Sequence, residues 1–210
     1  KYIALCEGDD YWTDPYKLQK QVDFLEANPD YSIHSGLAIT SDNKIIGNKN
    51  KSSFLLQNFY TRNNLITCTI LFRNTPLESK WFNNVTFGDW MLYVYVLKYF
   101  KNSKAYSDNN VLSFYRIHDG GIMQTLNEKS KLELAHVEHI YQIKKLTKCK
   151  FSDDDFFTIN NYCISLFRHY LKTKNVKLFR TTFINLILSQ NRFPLKSYLY
   201  YFYKSIKYKD

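Results

Sequence analysis

Residues 2–6, Tyr-Ile-Ala-Leu-Cys, form a short apolar run that breaks off into Glu7-Gly8-Asp9-Asp10. An apolar run of this length reads as a buried strand. Three carboxylates within four residues repel one another, and they persist at low cost only where a cation or several donors neutralise them. A hard divalent cation such as Mg²⁺ or Mn²⁺ suits these oxygens, since it is often held by one or two carboxylates together with substrate phosphates. Gly8 carries no Cβ, so the backbone can turn there and a ligand can come near. The carboxyl ends of strands are also where open α/β sheets bind ligands. The plain alternative is an acidic loop that caps the next helix.

The sequence after the acids supports a strand-turn-helix unit. Thr13-Asp14-Pro15 is a helix-start signal, and Leu18, Val22 and Leu25 follow at helical spacing. Asn28-Pro29-Asp30 ends that helix. Residues 32–40 read as a strand and residues 44–47 as its return, while residues 47–64 are polar and irregular. Residues 65–73, Leu-Ile-Thr-Cys-Thr-Ile-Leu-Phe-Arg, are dense in β-branched and aromatic residues and read as one strand.

Two further groupings carry chemistry. Phe87-Gly88-Asp89-Trp90 opens an almost wholly apolar helix over residues 91–100. Asp89 is there either as an N-cap, accepting from the free amides of the first turn, or as a functional carboxylate. Residues 106–112 read as a short strand, followed by Phe114-Tyr115-Arg116-Ile117-His118-Asp119-Gly120-Gly121. A neutral imidazole is a common metal ligand, and a guanidinium suits phosphate oxygens. The alternative is a satisfied loop histidine beside a surface arginine.

The run from Lys1 to Ile33, above all EGDDYWTDPYKLQKQVDFLEANPDY, resembles the family 2 glycosyltransferases, which have the GT-A fold. In that resemblance Glu-Gly-Asp stands where an Asp-x-Asp signature grips the metal and the sugar nucleotide. Glu7 replaces the first Asp, so which of Glu7, Asp9 and Asp10 touches the metal stays open. The resemblance implies that Glu7, Asp9 and His118 hold Mg²⁺ or Mn²⁺, and that Asp10 and Arg116 contact the donor. It implies that Asp89 is the general base and that Thr67 and Trp90 lie on the acceptor side. The expected donor is a nucleotide-sugar, a UDP-sugar first, and the expected acceptor is a hydroxyl of a glycan or a lipid-linked glycan, with inversion at the anomeric centre.

The expected fold class is α/β. Residues 1–124 would form the C-terminal half of a GT-A (Rossmann-like) domain, followed by a helical extension over residues 125–210. Because the signature lies near the middle of the family's domain and this sequence starts at Lys1, the resemblance implies a nucleotide-binding half upstream. The 210 residues alone are then expected to be inactive.

Charge separates the same two regions. The net charge is +10, yet residues 1–143 balance, and residues 144–210 hold 14 basic and 4 acidic side chains. Beyond Leu126 the pattern is helical, with expected helices over residues 129–148, 156–172, 176–190 and 195–208. His136 and His139 lie near Glu133 and Glu138, read as a solvated charged face. The basic, aromatic tail suits an anionic membrane surface or a solvated appendage; no nucleic-acid recognition motif is present, so no nucleic-acid partner is expected. Cys6, Cys68, Cys149 and Cys163 are scattered without a CxxC pair and read as reduced thiols. No apolar run approaches the roughly 20 residues of a membrane span, and no signal peptide is read. The expected location is cytoplasmic, peripheral at the inner face of the plasma membrane. The competing classes are a non-catalytic glycan-binding module and a membrane-surface interaction module.

Overall fold

Strand β1, Tyr2–Ala4, pairs antiparallel with β6, Leu71–Arg73, in the register Tyr2 to Arg73 and Ala4 to Leu71. The computed structural model describes residues 1–120 and 129–173, together with Leu199 and Tyr203. The chain divides into two units, Lys1–Gly121 and Ile122–Asp210.

The first unit is mixed α/β, built on a seven-stranded sheet among the described residues. Beside β1 and β6 it contains β2 (Tyr11–Trp12), β3 (Tyr31–Thr40), β4 (Ile45–Ile46), β5 (Ser53–Phe54) and β7 (Lys104–Tyr115). The main path runs β1-β6-β3-β7-β2, with β4 on β3 and β5 on β7. Only β3 and β7 pair in parallel; the other pairs are antiparallel. Their register shifts between Ser35 and Leu37, where Gly36 lies so close to β7 that a Cβ would run into Leu112.

Helix α1, Lys17–Ala27, starts two residues after Pro15. Asp14 organises that start: its Oδ1 accepts from the Tyr16 N–H at 2.8 Å and its Oδ2 from Lys20 Nζ at 2.8 Å. The buried face of α1 is Lys17, Gln21 and Leu25, not the expected Leu18, Val22 and Leu25; Leu18 is exposed. Lys17 Nζ donates to Gln21 Oε1 at 2.8 Å, and Gln21 Nε2 lies 2.8 Å from the Thr69 carbonyl and 3.0 Å from His34 Nδ1. The Lys17 ammonium also lies 4.6 Å from the centre of the Trp12 ring, a cation–π contact. Burial pushes the Lys17 pKa down to about 8. A polar stripe can take the core side because each of its groups finds a partner there.

Helix α2, Gly88–Tyr99, buries Trp90, Met91 and the run Tyr93 to Leu97. The expected single strand over residues 65–73 is instead a 3₁₀ turn, Thr67–Thr69, followed by the short β6. Thr69 enforces the turn: its hydroxyl donates to the Ile66 carbonyl at 2.7 Å and accepts from the Gly36 N–H at 3.1 Å. The strand after α2 is longer than expected and reaches Tyr115. Strand β1 is half-buried rather than buried, and Cys6 beyond it is exposed.

The second unit is described by its helices α3, Lys129–Thr147, and α4, Asp153–Thr173. Ser152 and Asp155 cap α4 reciprocally, the Asp155 N–H donating to Ser152 Oγ at 3.2 Å and the Ser152 N–H to Asp155 Oδ2 at 3.0 Å. The buried face of α4 carries Ile159, Cys163 and Leu166. Glu133 and His139 of α3 are buried, which corrects the expected solvated face; burial takes the His139 pKa down to about 4, so its ring is neutral at pH 7. The helices expected over residues 176–190 and 195–208 lie outside the described residues, apart from Leu199 and Tyr203. Among the described residues no helix is long and apolar enough to cross a membrane.

Candidate active site

The backbone leaves β1 through Leu5, whose N–H still donates to the Ile70 carbonyl at 3.0 Å. It then turns at Gly8 and Asp9, the Asp10 N–H donating to the Glu7 carbonyl at 3.1 Å. Tyr11 and Trp12 follow directly as β2 and pair with Phe114 and Ser113 of β7. The Tyr11 and Phe114 rings stack with centres 4.7 Å apart. This pairing brings the acidic turn against the segment that follows β7.

Three contacts join the two segments. The Arg116 N–H donates to Asp10 Oδ1 at 2.8 Å, Arg116 Nε donates to the Asp9 carbonyl at 2.9 Å, and His118 Nε2 lies 2.6 Å from Asp9 Oδ2. Asp10 is thus a latch on the backbone of the Arg116 segment, and Asp9 and His118 are direct neighbours. The guanidinium of Arg116 also lies 5.8 Å from the Phe114 ring centre.

Glu7 is exposed as a residue, yet its carboxyl is crowded. Loss of solvent is the largest cause that raises its pKa to about 7, and the charges of Asp10, Asp89 and Asp9 raise it further against a backbone hydrogen bond that lowers it. The same charges reach inward. Burial first, then Asp10, raises the Cys68 thiol well above its ordinary range, and burial followed by Asp10 and Glu7 raises Tyr115.

Asp89 occupies the first turn of α2, but it does not cap the helix; Phe87 stands at the N-cap, without a side-chain hydrogen bond. Its Oδ2 accepts from Asn63 Nδ2 at 3.0 Å and from the Thr67 hydroxyl at 2.9 Å. Thr67 in turn accepts from the hydroxyl of buried Tyr93 at 3.2 Å. Tyr93 lies one helical turn beyond Asp89, so the two share a face of α2. Its hydroxyl stays protonated, because burial, then the Asp89 charge, raises it well above the ordinary tyrosine value.

The expected residues therefore divide. Glu7, Asp9, Asp10, Arg116 and His118 lie at the acidic turn or against it, and Asp89 is linked to that side through Thr67, whose neighbour Cys68 accepts from Ser113 of β7. Thr67 faces Asp89 rather than open solvent. Trp90 corrects its expectation: it is 1% exposed and its indole N–H donates to the Phe59 carbonyl at 2.7 Å, so it is a core residue and cannot face an acceptor. Sequence reasoning missed Asn63, Tyr93, Cys68 and Tyr115. Signals existed for Tyr93, one helical turn from Asp89, and for Cys68 and Tyr115, next to Thr67 and Arg116, whereas Asn63 sits in a polar stretch without a pattern.

Among the described residues no group of three His, Cys, Asp or Glu side chains is arranged to hold a metal ion. The carboxylates of Glu7, Asp9 and Asp10 offer the hard oxygens that Mg²⁺ or Mn²⁺ takes, and such a cation needs few protein ligands where a phosphate supplies the rest.

No family model matches the chain. It is 35% identical over 104 residues to an uncharacterized protein of Mycobacterium tuberculosis and to one of Mycobacterium bovis, a match covering 45% of this chain and 29% of each relative. It is 27% identical over 123 residues to the UDP-Glc:alpha-D-GlcNAc-diphosphoundecaprenol beta-1,3-glucosyltransferase WfaP of Escherichia coli, covering 58% of this chain and 48% of that enzyme. The chain spans less than half the length of these relatives. A mixed α/β protein with a carboxylate-rich site, it is a distant relative of a glycosyltransferase.

Proposed function

We propose that the full-length gene product carrying these residues is an inverting glycosyltransferase. It moves a sugar from a nucleotide-sugar, a UDP-sugar first, to a hydroxyl of a glycan or lipid-linked acceptor. Residues 1–124 would be half of a GT-A-type catalytic domain, and the basic region of residues 144–210 would lie against an anionic membrane surface. Distant homology to the glucosyltransferase of Escherichia coli supports glycosyl transfer in general. The observation that supports the site assignment is geometric: Thr67 donates to Asp89 Oδ2 at 2.9 Å, and the carbonyl of the next residue, Cys68, accepts from Ser113 of β7 at 2.7 Å, the residue that pairs with Trp12 just after the acidic turn.

In this reading Asp89 removes the proton of the acceptor hydroxyl as the new bond forms. Its Oδ2 is engaged by Asn63 and Thr67. Glu7 and Asp9, with His118, would hold Mg²⁺ or Mn²⁺; Asp9 and His118 are already within 2.6 Å of each other. When bound, that cation supplies positive charge against the diphosphate leaving group. Arg116, its Nε anchored on the Asp9 carbonyl, presents a guanidinium to the diphosphate. Asp10 keeps the Arg116 backbone in place beside it.

The test is Asp89→Asn in the full-length protein. Transfer falls by about 10² to 10⁴-fold, as expected for loss of a general base, while calorimetry shows donor binding retained. Equal loss of both defeats the assignment of the base.

A further inference from the structure

We propose that Asn63, Thr67 and Tyr93 are positioning residues that commit one oxygen of Asp89 to the protein and reserve the other, Oδ1, as the proton acceptor. This deepens the glycosyltransferase reading and rests on Asp89 being its base. Both hydrogen bonds that Asp89 receives fall on Oδ2, and among the described residues nothing donates to Oδ1.

The direction of every bond is fixed by chemistry. The orientation of the Asn63 amide follows from its other contact: its Oδ1 accepts from the Leu65 N–H at 3.2 Å, so Nδ2 is the end that reaches Asp89. A carboxylate only accepts, so the single proton of Thr67 must point to Oδ2. The lone pair of Thr67 on the other side then accepts from Tyr93. Tyr93 is 0% exposed, so no water competes for its proton. The result is a one-way chain, Tyr93 to Thr67 to Asp89.

The chain is anchored from behind. The Ile70 N–H donates to the Thr67 carbonyl at 3.0 Å, and the adjacent Thr69 carbonyl accepts from buried Gln21 of α1. Thr67 is therefore fixed through its backbone as well as its hydroxyl. Two donors on Oδ2 hold the carboxyl plane in one rotation, and a reacting group held in one orientation gains rate without a gain in binding. The same contacts could merely tie α2 to the segment over residues 61–69, so the test must move something that a tether would not.

Thr67→Val in the full-length protein keeps the shape and removes both hydroxyl bonds. The expected result is a kcat lower by up to about 10²-fold, with donor KM unchanged, and recovery in Thr67→Ser, which restores the hydroxyl. Asn63→Ala should lower kcat less, because the linked Tyr93–Thr67 chain still holds Oδ2 whereas Thr67→Val breaks both of its bonds, and Tyr93→Phe least, because Thr67 keeps its own bond to Asp89. If Thr67→Val does not fold, the ordered losses of Asn63→Ala and Tyr93→Phe decide the matter on folded proteins. Wild-type kcat in Thr67→Val or in Asn63→Ala, with Asp89→Asn inactive, overturns the proposal alone, as does failure of Thr67→Ser to recover. Wild-type transfer by Asp89→Asn overturns the base assignment and the proposal together.

Discussion

The carboxylate of Asp89 and the carboxylates at residues 7–10, joined in one site in the proposed function, have opposite surroundings. Asp89 receives two neutral donors from the protein on a single oxygen. Glu7 receives crowding and like charge, and its pKa rises to about 7. Between them stands Asp10, which has found a backbone N–H on Arg116. A carboxylate already solvated by fixed donors is ready for chemistry with nothing added. One surrounded by other carboxylates carries an unmet electrostatic demand, which a cation can meet. The difference fits the two proposed roles, Asp89 as the group that takes a proton and the turn as the place for a cation. The largest expected effect therefore belongs to Asp89→Asn, which removes the proton acceptor while leaving the turn as it is.

Asp10 tests whether the turn contains a structural member. Asp10→Ala leaves the Arg116 N–H without its acceptor, and a hydrogen bond to a charged group is worth about 1.5 to 3 kcal/mol; partial exposure places the expected loss at about 1.5 kcal/mol. Asp10→Asn keeps an acceptor oxygen and should lose less. Chemical denaturation of the three proteins measures this directly. A wild-type stability for Asp10→Ala, with donor binding lost, would return Asp10 to the donor-contacting role expected from the resemblance.

Much of this comparison was written into local sequence. Strand β1, the acidic turn, α1 and the buried helix α2 are each marked by a short local pattern of residue types. What stayed hidden depends on distant partners. Gln21 is buried because the Thr69 carbonyl, 48 residues away, accepts its amide, so the polar stripe of α1 faces inward and Leu18 faces out. Residues 65–73 read as one strand by composition, but the Thr69 hydroxyl bonds the Ile66 carbonyl and receives the Gly36 N–H, and the chain turns. Trp90 reads as a site residue beside Asp89, yet its indole N–H finds the Phe59 carbonyl in the core. Asn63 sat in a polar stretch with no pattern to mark it, although it holds Asp89 from 26 residues away.

Glu7 gives a smaller effect with a distinct pH signature. The folded protein binds the Glu7 proton more tightly than the unfolded chain, whose glutamate titrates near 4.5. The proton's stabilisation is complete below pH 4.5 and is lost as pH rises through about 7. Glu7→Gln has no proton to lose. In the absence of divalent cations it should melt like the wild type near pH 4 and at a higher temperature at pH 8. Identical melting of the two proteins at pH 8 would mean that the turn carries no unmet demand, and the contrast with Asp89 would fail.

The smallest structural effect is expected at Gly8, and it separates fold from ligand most cleanly. A Cβ built there meets nothing within 4 Å, and its backbone is not in the left-handed region that favours glycine. Gly8→Ala should therefore match or slightly exceed the wild type in stability, since alanine narrows the unfolded ensemble where the native backbone tolerates it, by about 0.4 to 1 kcal/mol. The open space beside Gly8 adjoins Glu7 and Asp9, so a donor diphosphate seated on the turn would lie where the methyl group projects. In the full-length protein Gly8→Ala should weaken nucleotide-sugar binding while the melting temperature holds or rises. Unchanged affinity would place the donor away from this face of the turn, leaving Glu7 and Asp9 to act from the other side.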